Sequence, residues 1–223
     1  MDAVIMVVLW IFFGGTHIGM SSLHLRQSLI DKWGKAGFLL VYSLISLFTF
    51  GLLVIYYDFA RTGLVSAMPL PLFGGALAAL AYLLLLLAFV LLCCSLFNRT
   101  PMGMVPVKAE AYGITRITRH PLNMGFLLFG LAHMLVACSG VDWAFFGGFV
   151  VFSCLSAVHQ DKKKASLAEG ELDEFIQSTS VFPFAAILSG KQPFVLSEIS
   201  KLGVILGLAA AIYLYGLHGT LAV

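Results

Sequence analysis

LFGGALAALAYLLLLLAFVLLCCSLF, residues 72–97, contains no Asp, Glu, Lys, Arg or His. It exceeds the roughly 20 apolar residues that an α-helix needs to cross the hydrocarbon core of a bilayer. Five further stretches without Asp, Glu, Lys or Arg, 3–20, 36–57, 123–138, 143–158 and 202–219, are near or somewhat below that length, 123–138 and 143–158 being the shortest. The whole chain of 223 residues is 60% hydrophobic and 11% charged, against about half and a quarter in soluble domains. No segment alternates as the strands of a membrane barrel would, and backbone in lipid must satisfy its own hydrogen bonds. The expected fold is therefore all-α: a polytopic membrane bundle of about six helices, forming one integral membrane domain over 1–223. The start Met1-Asp2 is not basic and no small-residue cleavage site follows, so the first stretch reads as a span and not as a signal peptide.

The charges fit six alternating crossings. Arg26, Lys32 and Lys35 follow the first span; Arg99, Lys108, Arg116 and Arg119 follow the third; Lys162, Lys163, Lys164, Lys191 and Lys201 follow the fifth. Twelve of the thirteen basic residues thus fall on one side, with Arg61 alone opposite. The positive-inside tendency makes that side cytoplasmic, both termini non-cytoplasmic, and a bacterial inner membrane the expected location. The formal net charge of +2 reports orientation, and no basic stripe suited to nucleic acid is visible. Cys93, Cys94, Cys138 and Cys154 lie in or beside apolar spans without a CxxC spacing, which suits small buried side chains better than a disulfide or metal framework.

Against this background two histidines stand out. An imidazole inside a membrane span is costly and usually functional. His17 lies nine residues before Arg26, roughly 13 Å from the basic boundary, and His133 lies eleven residues beyond Leu122, roughly 16 Å from it. Helices running in opposite directions would bring them to a similar level. Met20, Ser21 and His24 follow His17 at helical spacing, while Gly125 and Gly130 precede His133 and leave room for a flat object or a close helix. The residues alone allow two readings: helix-bridging histidines with hydrogen-bonded rings, or a bis-imidazole metal or haem site. Zinc fits less well, because it usually recruits at least three side-chain ligands.

A second polar element, Gly113-Ile-Thr-Arg-Ile-Thr-Arg-His-Pro-Leu-Asn-Met-Gly125, sits at the cytoplasmic mouth. Pro121 is suited to the first turn of the fourth span. Arg119, His120 and Asn123 are candidate cofactor-binding groups there; Arg119 has the geometry for a propionate or phosphate, and His24 and His120 for orienting it or gating protons. Arg116 reads as an anchor for the helix end, and His159 and His218 as solvated interface residues.

Four stretches together resemble the NnrU family, which includes the 15-cis-zeta-carotene isomerases: Thr16-His-Ile-Gly-Met-Ser-Ser22 with Arg26, Gly113-Ile-Thr-Arg-Ile-Thr-Arg-His-Pro121, Leu131-Ala-His133, and Thr179-Ser-Val-Phe-Pro-Phe-Ala-Ala-Ile187. The resemblance covers about 10–195, with 202–219 as an additional span. It implies a multi-pass membrane protein whose isomerase members bind haem b through histidines matching His17 and His133, making these the expected metal ligands and catalytic residues. One departure is Gly130, where isomerase members carry a cysteine, so ligand exchange with a cysteine does not carry over. The implied activity is a haem-dependent cis–trans isomerisation of a carotene precursor, with lipid and an apolar polyene as partners. Other members of the family imply a non-enzymatic membrane factor linked to nitric oxide reductase and denitrification. A third reading, an isoprenylcysteine-type membrane methyltransferase, shares the Arg-His-Pro element. Against it, Asn123 replaces the expected Tyr and no paired Glu follows the fifth span.

Overall fold

A computed structural model describes residues 1–62, 75–103 and 107–221, with side chains described as far as 217. Among the described residues nine α-helices are placed: α1 Asp2–Met20, α2 Leu23–Thr62, α3 Gly75–Phe97, α4 Ile114–Ile117, α5 Pro121–Met134, α6 Gly140–Leu167, α7 Asp173–Ser178, α8 Ala185–Leu188 and α9 Lys201–Leu221. Among the described residues there is no strand, as the unbroken apolar runs required. Four helices, α1, α2, α3 and α6, are long and apolar enough to cross a membrane. The other two expected spans are shorter apolar helices, Pro121–Met134 and Lys201–Leu217 by the residues described. At 1.5 Å per residue, the fourteen residues of α5 reach about 21 Å, less than the ~30 Å hydrocarbon core. The first residues expected for the third span, 72–74, lie outside the described residues.

α2 is forty residues long because two helices run together: Gly34 has φ +71° and ψ 166°, which is not helical. A side chain would be strained at that positive φ, and glycine absorbs the break. Residues 23–33 therefore form a basic arm ahead of the long apolar part of α2.

The long helices pack as a row, α9 against α3, α3 against α5, α5 against α6, and α6 against α1 and α2, which also pair with each other. Glycine sets the close approaches. A Cβ on Gly125 would fall 2.7 Å from Leu92 of α3, and one on Gly130 would fall 2.6 Å from the Phe146 carbonyl oxygen of α6. These two glycines thus admit neighbouring helices, not a flat ligand, and they seat the short helix α5 at the centre of the row. Gly207 of α9 meets the Val90 backbone of α3 in the same way, the small-residue contact that membrane helices use where burial from water is not the driving force.

The α1–α2–α6 side is aromatic: Met6, Trp10, Phe13, Leu53, Val141, Phe145, Phe146 and Phe149 form one buried cluster. Trp10 Nε1 donates to the Phe145 carbonyl oxygen at 3.0 Å, satisfying the indole in an apolar interior. At the far end from the basic loops, Ser139 and Asp142 form a reciprocal capping box at the start of α6, and Tyr57 Oη donates to Asp142 at 2.7 Å.

Gly148 faces Trp10, and a Cβ there would lie 2.1 Å from the indole; Gly147 next to it has nothing nearer than 3.8 Å. Gly148→Ala is therefore expected to displace Trp10 and cost roughly 1–3 kcal/mol. Gly147→Ala, which gains helix propensity without a clash, should be neutral or stabilising. Thermal unfolding of the two variants in detergent checks this; equal midpoints would contradict the packing.

Candidate functional site

Besides the Asp142 group at the far end, polar side chains among the described residues gather around His17 within the bundle and in a knot at its basic end. At the first, α1 carries His17 against α2, whose Tyr42 and Ser46 lie one helical turn apart on the same face. Tyr42 Oη is 2.7 Å from His17 Nε2, and Ser46 Oγ is 2.9 Å from Nδ1. Both ring nitrogens thus have a hydrogen-bond partner, and Phe13, Tyr42 and Phe152 surround the ring. Neither Tyr42 nor Ser46 stood out in the sequence, although two polar residues four apart inside an apolar span were the available signal.

His133, near the end of α5, stacks on Phe146 of α6 at 4.3 Å and 15°. Its Nδ1 lies 2.8 Å from the Phe129 carbonyl oxygen. A carbonyl only accepts, so Nδ1 carries the proton. That is the arrangement that commonly orients a metal-binding imidazole.

The structure does not bring the two histidines together. His17 packs on Phe152 and His133 on Phe146, six positions apart on α6, which corresponds to about 9 Å along its axis. A run of touching rings, Phe129, Phe149, Trp10 and Phe13, separates them. Two imidazoles on one metal ion bring their nitrogens within about 4 Å of each other, twice a metal–nitrogen bond. His133 has the donor chemistry of a haem ligand, but in this packing the pair does not fit a shared iron. Among the described residues no cluster of three or more His, Cys, Asp or Glu is arranged for a metal ion.

The knot at the basic end centres on Asp161, near the end of α6. Arg119 Nη2 donates to Asp161 Oδ2 at 2.6 Å, and Nε lies 3.1 Å from both carboxylate oxygens. His120 Nε2 donates to Oδ1 at 2.7 Å from a ring that is 1% exposed. The remaining guanidinium nitrogen, Nη1, reaches the Thr179 and Ile176 carbonyl oxygens at the end of α7, where the helix dipole favours a cation. Arg119 is thereby committed to the protein, and a propionate would have to displace Asp161 to reach it. Asp161 itself was hidden in the sequence, a single carboxylate beside three lysines.

The stretches 113–121 and 179–187, separate in sequence, are interlocked through the backbone. The Arg119 amide donates to Ser180 O and the Phe184 amide to Ile117 O, both at 2.9 Å, while the Thr118 hydroxyl donates to Val181 O. Arg116, expected to be an anchor, makes a two-pronged ion pair with Glu198, Nε to Oε2 at 2.7 Å and Nη2 to Oε1 at 3.0 Å. Gly113 turns beside it at φ +58° and donates its amide to the same carboxylate at 2.8 Å. Pro121 opens α5 as expected, with His120 at the N-cap.

Other expected residues fall as follows. Asn123, one turn into α5, has a buried Nδ2 without a partner. His24 is exposed. His159, expected to be merely solvated, instead bridges α6 to the end of α1 through Ser21 Oγ at 2.9 Å. The His218 side chain lies outside the described residues.

A membrane bundle with histidines in its spans and an interlocked Arg-His-Pro cap is the class of protein this arrangement defines. The chain belongs to the NnrU family: the family model described as NnrU protein matches residues 5–223. It is 29% identical over 198 residues to the chloroplastic 15-cis-zeta-carotene isomerase of Zea mays, and 28% identical over 199 residues to that of Arabidopsis thaliana. Each alignment covers 85% of this chain and 52% of the relative, so the chain spans about half the length of the curated relatives it matches. No solved structure matches the chain.

Arg116, followed by the Gly113 amide, holds the Glu198 carboxyl below the usual glutamate range. A carboxyl so depressed adds stability at pH above its unfolded value of about 4.3, and that stability is lost as pH falls through the lowered value. The wild-type protein should therefore be more stable than Glu198→Gln at pH 7, with the gap closing below about pH 4. Unfolding midpoints measured from pH 7 down to pH 3 check this; a gap that stays constant would contradict it.

Proposed function

We propose that this protein is a membrane cis–trans isomerase acting on a carotene precursor. The observation that carries the reading is its similarity, along most of its length, to two proteins named 15-cis-zeta-carotene isomerase. The physical setting supports it. A carotene is dissolved in the bilayer, and a protein that handles it needs apolar walls open to lipid. The outer faces of α1 and α2 supply such walls, with Val8, Ile11, Phe12, Leu44 and Leu47 exposed. His17 and His133 are each partly exposed in this apolar region, beside the buried aromatic cluster of α1 and α6. His17, held by Tyr42 and Ser46, is fixed in position, while the Asp161 knot closes the basic end.

Haem b is part of the proposal through the family resemblance alone. When bound, a haem would supply one-electron chemistry able to lower the order of a double bond. Because the two histidines do not fit one iron in this packing, no step of the reading runs through it, and its presence is a separate measurement.

Expression in cells that accumulate 9,15,9′-tri-cis-zeta-carotene in the dark should yield the 9,9′-di-cis product. His133→Ala and His17→Ala should each lower the yield at least tenfold while remaining in the membrane fraction. A pyridine haemochrome assay on the purified protein reads haem independently of turnover. Absence of product with folded protein in the membrane would overturn the isomerase reading and favour the nitric-oxide-linked membrane factor.

A further inference from the structure

Three half-buried cations at the basic end have no ion-pair partner among the described residues. Arg26 lies on the arm 23–33, and its guanidinium is 5.6 Å from the centre of the Phe38 ring, across the Gly34 break. Lys163 and Lys164 lie on α6, one turn beyond His159, whose ring is tied to Ser21 at the turn from α1 into α2. That tie holds the end of α6 that carries the two lysines against the turn from which the arm carrying Arg26 begins. All three side chains are half-buried.

None of them has a carboxylate within ion-pair distance among the described residues; the ion pairs found join Arg61 to Asp142, Arg116 to Glu198, and Arg119 and His120 to Asp161. Of the nearest acids, Asp161 is thus already engaged, and Asp31 is exposed on the arm, where it accepts a hydrogen bond from Gln27. Among the described residues, the carbonyl end of α1 at Ser21 adds the equivalent of about half a negative charge. Three cations against half a charge, drawn partly out of water, are unfavourable unless an anion joins them.

We propose that Arg26, Lys163 and Lys164 form a binding site for a phosphate-bearing anion, filled in the membrane by the headgroup of an anionic lipid. The arm has the chemistry of an interfacial helix. It shows Leu23, Leu25 and Trp33 on its exposed surface beside Arg26, the pairing of apolar and basic residues that seats a helix at headgroup depth. The lipid phosphates lie at that boundary, and an Arg with two Lys is a suitable donor set for their oxygens. The site is independent of the isomerase reading, since a carotene carries no charge.

The test is thermal unfolding of the full chain in detergent, titrated separately with dioctanoyl phosphatidylglycerol, dioctanoyl phosphatidylcholine and inorganic phosphate. Phosphatidylglycerol should raise the midpoint at the lowest concentration. Arg26→Gln, and Lys163→Gln with Lys164→Gln, should increase the concentration needed by roughly fivefold per charge removed. Lys32→Gln with Lys35→Gln removes as much charge from the same end and should leave the titration within about twofold of wild type. Phosphatidylcholine acting as well as phosphatidylglycerol, or the site variants titrating like the Lys32/Lys35 control, would overturn the proposal. Inorganic phosphate matching phosphatidylglycerol would overturn the lipid assignment and leave a site for a soluble anion.

Discussion

Asp161 holds the basic end of the molecule together. One carboxylate on α6 receives Arg119 and His120, consecutive residues leading into α5, and Arg119 continues to the carbonyl end of α7. Buried charges persist where they are paired and hydrogen-bonded, and removing one partner of such a set typically costs about 3–5 kcal/mol. Here that cost falls on a connection that fixes three things at once. It sets the start of the short central helix α5, holds the stretch 113–121 against 179–187, and determines where α6 leaves the bundle.

The position of α5 follows from that anchor and from glycine. Fourteen residues cannot cross a bilayer unaided, so α5 depends on α3 and α6, which approach at Gly125 and Gly130 more closely than any side chain would allow. His133, at its far end, is consequently stacked on Phe146 of α6, whereas His17 is held on the other side of the aromatic column by Tyr42 and Ser46. The separation of the two imidazoles is therefore a result of helix packing. Bringing both to one metal ion would require the rings of Phe129, Phe149, Trp10 and Phe13 to move. The same packing gives the bundle an aromatic interior beside lipid, which suits the hydrocarbon substrate proposed.

Much of this was legible in the sequence. Uncharged runs near bilayer length define α1, the main part of α2 and α3, and a shorter run marks α6, since length and hydropathy are local properties. The tie between Ser21 and His159 joins the basic segments that follow α1 and end α6, and Pro121 marked the start of α5. What stayed hidden depends on contacts between distant segments. Gly34 splitting α2 is a conformational fact with no periodic signature. Asp161 acquires its role only when Arg119 and His120 arrive from another loop. Two histidines at similar estimated depth can still lie on different faces of an intervening helix, and depth along the chain says nothing about that rotation.

The most direct measurement is hydrogen–deuterium exchange of the wild-type protein and Asp161→Asn in the same detergent. The account predicts that the Arg119 and Phe184 amides, bonded to Ser180 and Ile117, lose protection together by tenfold or more, while the middle of α3 keeps its own. Unchanged protection at Arg119 and Phe184 in Asp161→Asn would contradict it.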